Sequence, residues 1–233
     1  MNTSRFTAGG PAVEIARAEP DLWHALDDGR AAGHGEATTR PDGRIFLTVD
    51  AWHRSVFDQL AGAMLTDLPG PLHTVVDGAD HDLLAAWRDA GLTIGRREWD
   101  YVVPTAPARP AGVTIRPATA DDLARQDWEL RPVTPAVAPP SNVVAVVDGE
   151  SVGLLRVVRV RVARIDLVTV RATHRRRGIG RALVTHALGV LHGEGVEVAY
   201  ARVDEADVAA TALVEGLGGR RAASTLELVR DGR

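Results

Sequence analysis

The alternation of apolar and polar positions predicts a central strand that leads through a basic turn into a helix. Apolar residues from Gly180 to Leu191 recur at helical spacing, at positions 183, 184, 187, 188 and 191. An extended apolar run from Ile165 to Val170 precedes them and predicts a strand. Three consecutive arginines and Gly178 lie between the two segments. The order strand, basic turn, helix is the feature around which the rest of the chain is arranged.

The same reasoning predicts elements in both halves of the chain. In the first half we predict a hairpin about residues 41–43, a helix over 52–64, a strand over 73–76, a helix over 80–90 and an extended segment over 93–103. In the second half we predict a strand from 113, a helix over 120–130, a hairpin about 148–149, strands over 161–170, 197–203 and 222–229, and a helix over 207–217. This order predicts an α/β protein with a mixed sheet, antiparallel at first and parallel at the strands that flank the central helix.

The two halves resemble each other on either side of a proline-rich linker, residues 104–112. Residues 76–80 match residues 203–207 at a shift of 127 positions, and residues 48–54 parallel residues 169–175 at a shift of 121. We therefore predict two tandem halves, residues 1–103 and residues 113–233. The first half has no glycine where the second has its basic turn, and Asp58 there would repel a phosphate. We expect it to keep the fold without the anion site.

Composition excludes several classes of function. The net charge of −4 gives no reason to expect binding to nucleic acid or to an anionic membrane. The chain has no cysteine, which excludes disulfides, thiol catalysis and cysteine-bound metal. No apolar run resembles a signal core or reaches membrane-spanning length, so a cytoplasmic protein is expected.

The basic turn has the properties of an anion site. Gly178 and Gly180 carry no β-carbon, so a ligand can approach their backbone N–H groups closely. The helix N-terminus adds free N–H groups and its dipole to the charge of three arginines. A P-loop is excluded because the chain has no lysine, and Leu183 stands where a dinucleotide fingerprint needs a third glycine. A pyrophosphate is the ligand that fits these properties best. The alternative is that the segment is an arginine-rich turn on a solvated helix end.

The motif Arg175-x-x-Gly178-x-Gly180 resembles the acyl-CoA pyrophosphate loop of the GNAT acetyltransferase superfamily. The hairpin over 145–156 and the segment over 207–219 are similar to two further motifs of that superfamily, so the resemblance covers residues 113–230. It implies a GNAT-like fold in two tandem halves, the first of them degenerate. It also implies transfer of an acetyl group from acetyl-CoA to a primary amine of a small molecule or peptide, by direct attack through a tetrahedral intermediate.

The resemblance further implies which residues bind the donor. Backbone N–H groups from Arg176 to Arg181 would hold the pyrophosphate, and the N–H of Val170 would polarise the thioester carbonyl. The expected donor-binding residues are Thr169, Val170, Arg175, Arg176, Arg177, Gly178, Ile179, Gly180, Arg181 and Asp207. No metal is expected.

Two carboxylates are candidates for the general base. The superfamily often places a glutamate eleven residues before the arginine of the loop, and this chain has Arg164 there. Asp166 lies two residues later on the same strand face and is the first candidate, while Asp204 at the end of the next strand is the second. For each, the alternative is a carboxylate that is solvated or ion-paired, near Arg164 or Arg202. His174 fits a loop-positioning or surface role better than that of a base.

Val214 departs from the superfamily pattern, which commonly has a tyrosine that protonates the leaving thiolate. Two alternatives to an enzyme therefore stay open, a non-catalytic acyl-CoA-binding regulatory module and a structural pseudoenzyme. Acidic residues near the expected cleft favour a cationic acceptor, and residues 125–142 are expected to line the acceptor side. The first half is expected to pack on the second as in a GNAT dimer, which predicts a pseudo-dimeric monomer or a homodimer.

Overall fold

A computed structural model describes residues 13–107, 112–125, 141–159 and 161–232. The described part of the chain contains twelve strands and five helices. The strands are β1 (Glu14–Glu19), β2 (Leu22–Asp27), β3 (Arg30–Thr39), β4 (Ile45–Ala51), β5 (Leu72–Asp77), β6 (Thr93–Pro104), β7 (Thr114–Pro117), β8 (Ser141–Val147), β9 (Glu150–Arg159), β10 (Ala163–Val170), β11 (Val198–Asp204) and β12 (Arg220–Arg230). The helices are α1 (Arg54–Asp67), α2 (His81–Asp89), α3 (Ala120–Arg125), α4 (Ile179–Gly193) and α5 (Val208–Glu215).

The first of two compact units comprises Met1–Glu98 and Ala223–Arg233. Its strands follow the order β1-β2-β3-β4-β5-β12, and all neighbours are antiparallel except the parallel pair β4–β5. That pair is joined only near its start, by two register pairs from residues 45 and 46 of β4. The core lies between the sheet and both helices, where Phe57 of α1 meets Trp87 of α2 edge to face at 4.9 Å.

The pattern of the first half predicted most of these elements. The expected hairpin is β3–β4, and α1, β5, α2 and β6 lie within a few residues of their predicted ranges. Strand β2 was not predicted, and the segment that parallels residues 113–121 gives β1 followed by a turn, without a helix. Asp28 and Gly29 join β2 to β3 with φ angles of 47° and 77°, the left-handed pair that a two-residue hairpin requires.

The second unit comprises Trp99–Ala222 and repeats the same order of elements around α4. Its strands follow the order β6-β11-β10-β9-β8-β7, with β10 and β11 parallel. These two strands are joined only by the pairs Arg164–Tyr200 and Ile165–Ala201, and they diverge beyond them. Leu183 and Leu191 of α4 are buried in the core of this unit. The expected turn at 148–149 and helices α4 and α5 are present, whereas residues 126–140 lie outside the described residues.

The boundaries of the units differ from the predicted halves at two places. The chain passes from the first unit to the second between Glu98 and Trp99, within β6, and not at the linker over 104–112. The residues from Ala223 onward group with the first unit, where β12 pairs with β5 over six residues from Thr225 to Arg230. Local patterns predict that the closing segments are strands, but the antiparallel ladder decides which strand each one pairs with.

Asp122 fixes the start of α3 within the second unit. Its carboxylate accepts hydrogen bonds from both terminal nitrogens of Arg116 (2.6 and 3.0 Å), from the Ser151 hydroxyl (2.6 Å) and from the Thr119 N–H (2.7 Å). The Asp122 N–H donates in return to Thr119 Oγ1, which completes a capping box. These bonds, led by those from Arg116, hold the pKa of Asp122 well below its usual range.

Asp122→Asn is expected to lower the free energy of unfolding by about 2 kcal/mol, because an amide loses the charge-assisted bonds. Since the pKa of Asp122 is lower in the folded state, this contribution is present above the ordinary carboxyl pKa of about 3.9 and is lost as pH falls below it. Urea unfolding at neutral and acid pH measures both effects. Asp148→Asn is the control, because it removes one charge from a left-handed turn position that asparagine tolerates. Equal destabilisation by both variants would contradict the assignment.

Candidate active site

The site begins where β10 separates from β11. The Arg171 N–H donates to the Val152 carbonyl of β9 at 2.9 Å, just after β10 ends. Successive N–H groups of a strand point to opposite sides, so the Val170 N–H points away from β9. No ladder pair joins β10 to β11 beyond Ile165, so this N–H faces the gap between the two strands. The Val170 N–H can therefore donate a hydrogen bond to a ligand that enters the gap.

The loop between β10 and α4 contains two residues in the left-handed region. A 3-10 turn over Ala172–His174 is followed by Arg176 with φ 63°, and Gly178 has φ 80° at the N-cap of α4. A left-handed arginine costs about 1 kcal/mol, whereas glycine adopts this conformation without strain. Left-handed Gly178 followed by helical Ile179 turns successive N–H groups toward one side, which is the geometry of backbone anion sites.

The first turn of α4 carries no side-chain cap. Its first intrahelical bond runs from the Ala182 N–H to the Gly178 carbonyl at 2.9 Å. The N–H groups of residues 179–181 precede that bond and therefore have no acceptor within the helix. Together with the helix dipole, they favour a negatively charged ligand at this end of α4.

Gly180 lies against the end of β10. A β-carbon at this position would lie 3.7 Å from Leu213, 3.8 Å from Val170 and 3.9 Å from Val168, all ordinary contact distances. Alanine would therefore fit here. A longer or charged side chain would have to project into the gap or toward the loop.

The arginines of the loop differ in their partners. Arg175 donates its Nε to the Val170 carbonyl at 3.1 Å, which fixes it at the end of β10. Arg176 and Arg177 are exposed, and neither forms an ion pair with any described residue. Arg181 donates to the Gly216 carbonyl at the end of α5 (2.9 Å), so its side chain holds the two helices together. Two guanidinium charges thus stand uncompensated beside the uncapped helix turn.

A cavity of about 430 Å³ adjoins the loop at Gly178. One side of α4 and the end of α5 form its walls, together with residues 104–107 and Gly112. Its volume is within the range of small-molecule sites in proteins. Space for a sizeable ligand therefore begins directly at the helix N-terminus.

Asp166, the first candidate for the base, is placed at a bulge of β10 opposite β9. Its carboxylate lies 3.0 Å from Nη2 of Arg164 and 3.9 Å from Nη1 of Arg156. Arg156 is 6% exposed and donates its Nε to the Asn142 side chain at 3.2 Å. The ion pair that the sequence offered as an alternative for Asp166 is therefore present. Arg156 was missed by sequence reasoning, although a single arginine in the apolar run of β9 was a signal for it.

Asp204 and Asp207 both stabilise the turn between β11 and α5. Asp204 accepts a hydrogen bond from the Ala206 N–H at 2.9 Å. Asp207 accepts one from the Ala210 N–H, also at 2.9 Å, and so caps α5. The α5 N-terminus is thus closed by its own side chain, unlike that of α4.

The other positions singled out from the sequence lie in a strand, in the loop or in the core. Thr169 pairs with Leu154 across β10 and β9, and the imidazole Nδ1 of His174 lies 2.9 Å from Thr173 Oγ1 in the loop. Val214 is buried in the core of the second unit. Sequence reasoning did not predict the fully buried Tyr101, whose hydroxyl donates to Glu215 at 3.0 Å.

The described residues contain neither a cluster able to hold a metal ion nor a helix able to span a membrane. In that part of the chain no group of three histidine, aspartate or glutamate side chains is arranged to hold a metal ion. None of the five described helices combines the length and the apolar character needed to span a membrane.

Comparison with protein families matches residues 109–218 to the acetyltransferase (GNAT) family. The match contains the whole loop, α4 and α5, and it confirms the resemblance found in the sequence. Comparison with curated proteins gave no match. The similarity of this segment to an acetyltransferase family supports acyl transfer in general.

Solved structures confirm the GNAT-like fold. A GCN5-related N-acetyltransferase from Sphaerobacter thermophilus is 18% identical with a TM-score of 0.63, over 93% of this chain and 82% of that chain. A tandem GNAT protein from the clavulanic acid biosynthesis pathway is 17% identical with a TM-score of 0.64, over 96% and 84%. A GCN5-related N-acetyltransferase from Kribbella flavida is 18% identical with a TM-score of 0.60, over 95% and 91%. At these identities the similarity shows the fold alone.

Proposed function

We propose that this protein transfers an acetyl group from acetyl-CoA to a primary amine, because residues 109–218 match the acetyltransferase (GNAT) family. The acceptor is a small molecule or a peptide. The observation that carries the proposal is the uncapped first turn of α4, which stands beside the unpaired Arg176 and Arg177.

Donor binding is proposed for the loop of the second unit. The N–H groups from Arg176 to Arg181 would bind the pyrophosphate, with charge from residues 175–177. Thr169 and Val170 would contact the pantetheine arm by their backbone, and Asp207 would border it. The cavity at Gly178 provides space for part of the nucleotide.

Features of the first unit support a donor site in the second unit only. Helix α1 occupies the place in the first unit that α4 has in the second, between the two diverging parallel strands. Arg54 at its start pairs with Asp58 at 2.7 Å and with Asp89 at 2.9 Å, so its charge is compensated within the unit. We therefore propose that the first unit is a degenerate GNAT-like domain and that only the second binds the donor.

The chemistry requires a polarised carbonyl and a route for one proton. The Val170 N–H would stabilise the oxyanion of the tetrahedral intermediate as the amine attacks the thioester carbon. Asp166, acting through a water, would take the ammonium proton, with Asp204 as the second candidate. The thiolate of CoA then departs as the carbonyl reforms. With a thiol pKa of roughly 8.5, it does not require the acid that Val214 cannot provide.

Asp166→Asn is expected to lower kcat by about a hundredfold while acetyl-CoA affinity stays the same, because an amide cannot accept the proton. Initial rates and calorimetric titration separate the two quantities. Asp204→Asn, measured in parallel, tests the second candidate with the same change of charge. Unchanged turnover in Asp166→Asn, with a native melting temperature, would remove Asp166 as the base.

The proposed activity is tested by thiol release from acetyl-CoA in the presence of polyamines, amino acid derivatives, aminoglycosides and short peptides. The carboxylates Asp204, Glu205 and Asp207 near the end of β11 favour cationic small amines among these acceptors. Amine-dependent release is the expected result. Tight CoA binding without turnover on any amine would support the regulatory module that buried Val214 motivates, and absence of CoA binding would support a pseudoenzyme.

A further inference from the structure

The first unit contains a cavity of its own, about 360 Å³ in volume, at the ends of β2 to β4. Leu22, Ala31 and Ala32 are among the residues that line it. Two imidazoles, a carboxylate and an indole also line it. No part of the proposed acetyl transfer uses this cavity.

The polar residues of the cavity form one row across three strands. His24 of β2 pairs with His34 of β3, and His34 pairs with Asp50 of β4. Directly opposed residues share a face of the sheet. Their strand neighbours Trp23 and Val49 belong to the core beneath α1, so the row lies on the opposite face.

The three polar side chains of this row have no partner among the described residues. Among the residues that the structure describes, none forms a hydrogen bond or ion pair with the side chain of His24, His34 or Asp50. Asp42, Asp58 and Glu227 of the same unit, by comparison, are paired with arginines. The cavity therefore offers a carboxylate whose charge is not compensated by a neighbouring arginine.

The indole of Trp52 stands at the border of the cavity and is 77% exposed. Trp52 directly follows β4, which contains Asp50, and the carboxylate and the ring line the same cavity. A carboxylate beside an aromatic face is the arrangement that attracts an organic cation. The two imidazoles add polar groups to the wall of the cavity.

The charge of the whole unit favours the same ligand class. The sequence of the first unit contains 17 acidic residues and 11 arginines, whereas that of the second contains 14 and 16. Approach of a cation to the first unit is therefore favoured, and approach of an anion is opposed.

We propose that the first unit binds a small organic ammonium ion in this cavity. Asp50 provides the counter-charge, Trp52 the aromatic face, and His24 and His34 the polar wall. The site is independent of donor binding at α4, and it gives the unit that lacks the basic loop a binding role.

Calorimetric titration with choline, and with the uncharged isostere 3,3-dimethylbutan-1-ol, tests the proposal on the full-length protein. Choline is expected to bind and the alcohol to bind at least tenfold more weakly, because the two differ in charge and hardly in shape. Equal binding of both probes, or no binding of choline, would overturn the proposal.

Three variants locate the site. Trp52→Leu and Asp50→Asn are each expected to weaken choline binding about tenfold. Asp82→Asn, which removes one carboxylate from the exposed first turn of α2, is expected to leave it unchanged. All three should bind acetyl-CoA as the wild type does. A loss of choline affinity in Asp82→Asn equal to that in Asp50→Asn would show diffuse charge attraction and overturn the site.

Discussion

Gly180→Asp is expected to weaken acetyl-CoA binding by at least a hundredfold, or about 3 kcal/mol, while the fold stays intact. The new carboxylate would stand at the first turn of α4, between the loop and the apolar end of β10. There it would both repel a pyrophosphate and accept hydrogen bonds from the N–H groups that the pyrophosphate needs. The same capping effect favours the helix, so we expect no loss of stability.

Calorimetry with acetyl-CoA measures the effect, and thermal unfolding verifies the fold. Gly180→Ala is the steric control, because a β-carbon at 3.7 Å from Leu213 meets only ordinary contacts. Gly62→Asp is the charge control, because it places the same carboxylate in open space on α1 of the other unit. Unchanged affinity in Gly180→Asp would contradict the loop assignment.

Val170→Pro is expected to lower kcat by about two to three orders of magnitude with little change in acetyl-CoA affinity. Proline removes the Val170 N–H, which faces the gap between β10 and β11. That N–H makes no bond to β9, since Arg171 is the residue that donates to Val152, so no ladder bond is lost.

Rates and titration of Val170→Pro are compared with those of Val170→Ala, which changes the same side chain and keeps the N–H. The alanine variant should turn over at close to the wild-type rate. If the proline variant folds, binds the donor and turns over normally, the Val170 N–H is not the oxyanion donor.

The sequence predicted the turn from β10 into α4 because the cause of that turn is local. Glycines without β-carbons, three arginines and a helix start are neighbours in the chain, so spacing alone places them together. The left-handed Arg176 was not predictable, because local rules assign positive φ angles to glycine first and to asparagine or aspartate next. Surrounding structure, and not the arginine itself, holds that conformation.

Other features depend on contacts between distant segments. The end of the β10–β11 ladder at Ile165 leaves no trace in the sequence, because the strand pattern of both segments continues beyond the last paired residues. The row from His24 to Asp50 arises only when two hairpins bring three strands into register. By contrast, β2 could have been predicted, since Asp28-Gly29 is a strong hairpin signal between two short runs.

The most direct measurement is a crystal structure of the protein with acetyl-CoA at saturating concentration. Our account predicts that the pyrophosphate oxygens accept hydrogen bonds from the N–H groups at the start of α4, with the thioester carbonyl at the Val170 N–H. Acetyl-CoA bound elsewhere on the protein, with the first turn of α4 left unliganded, would contradict it.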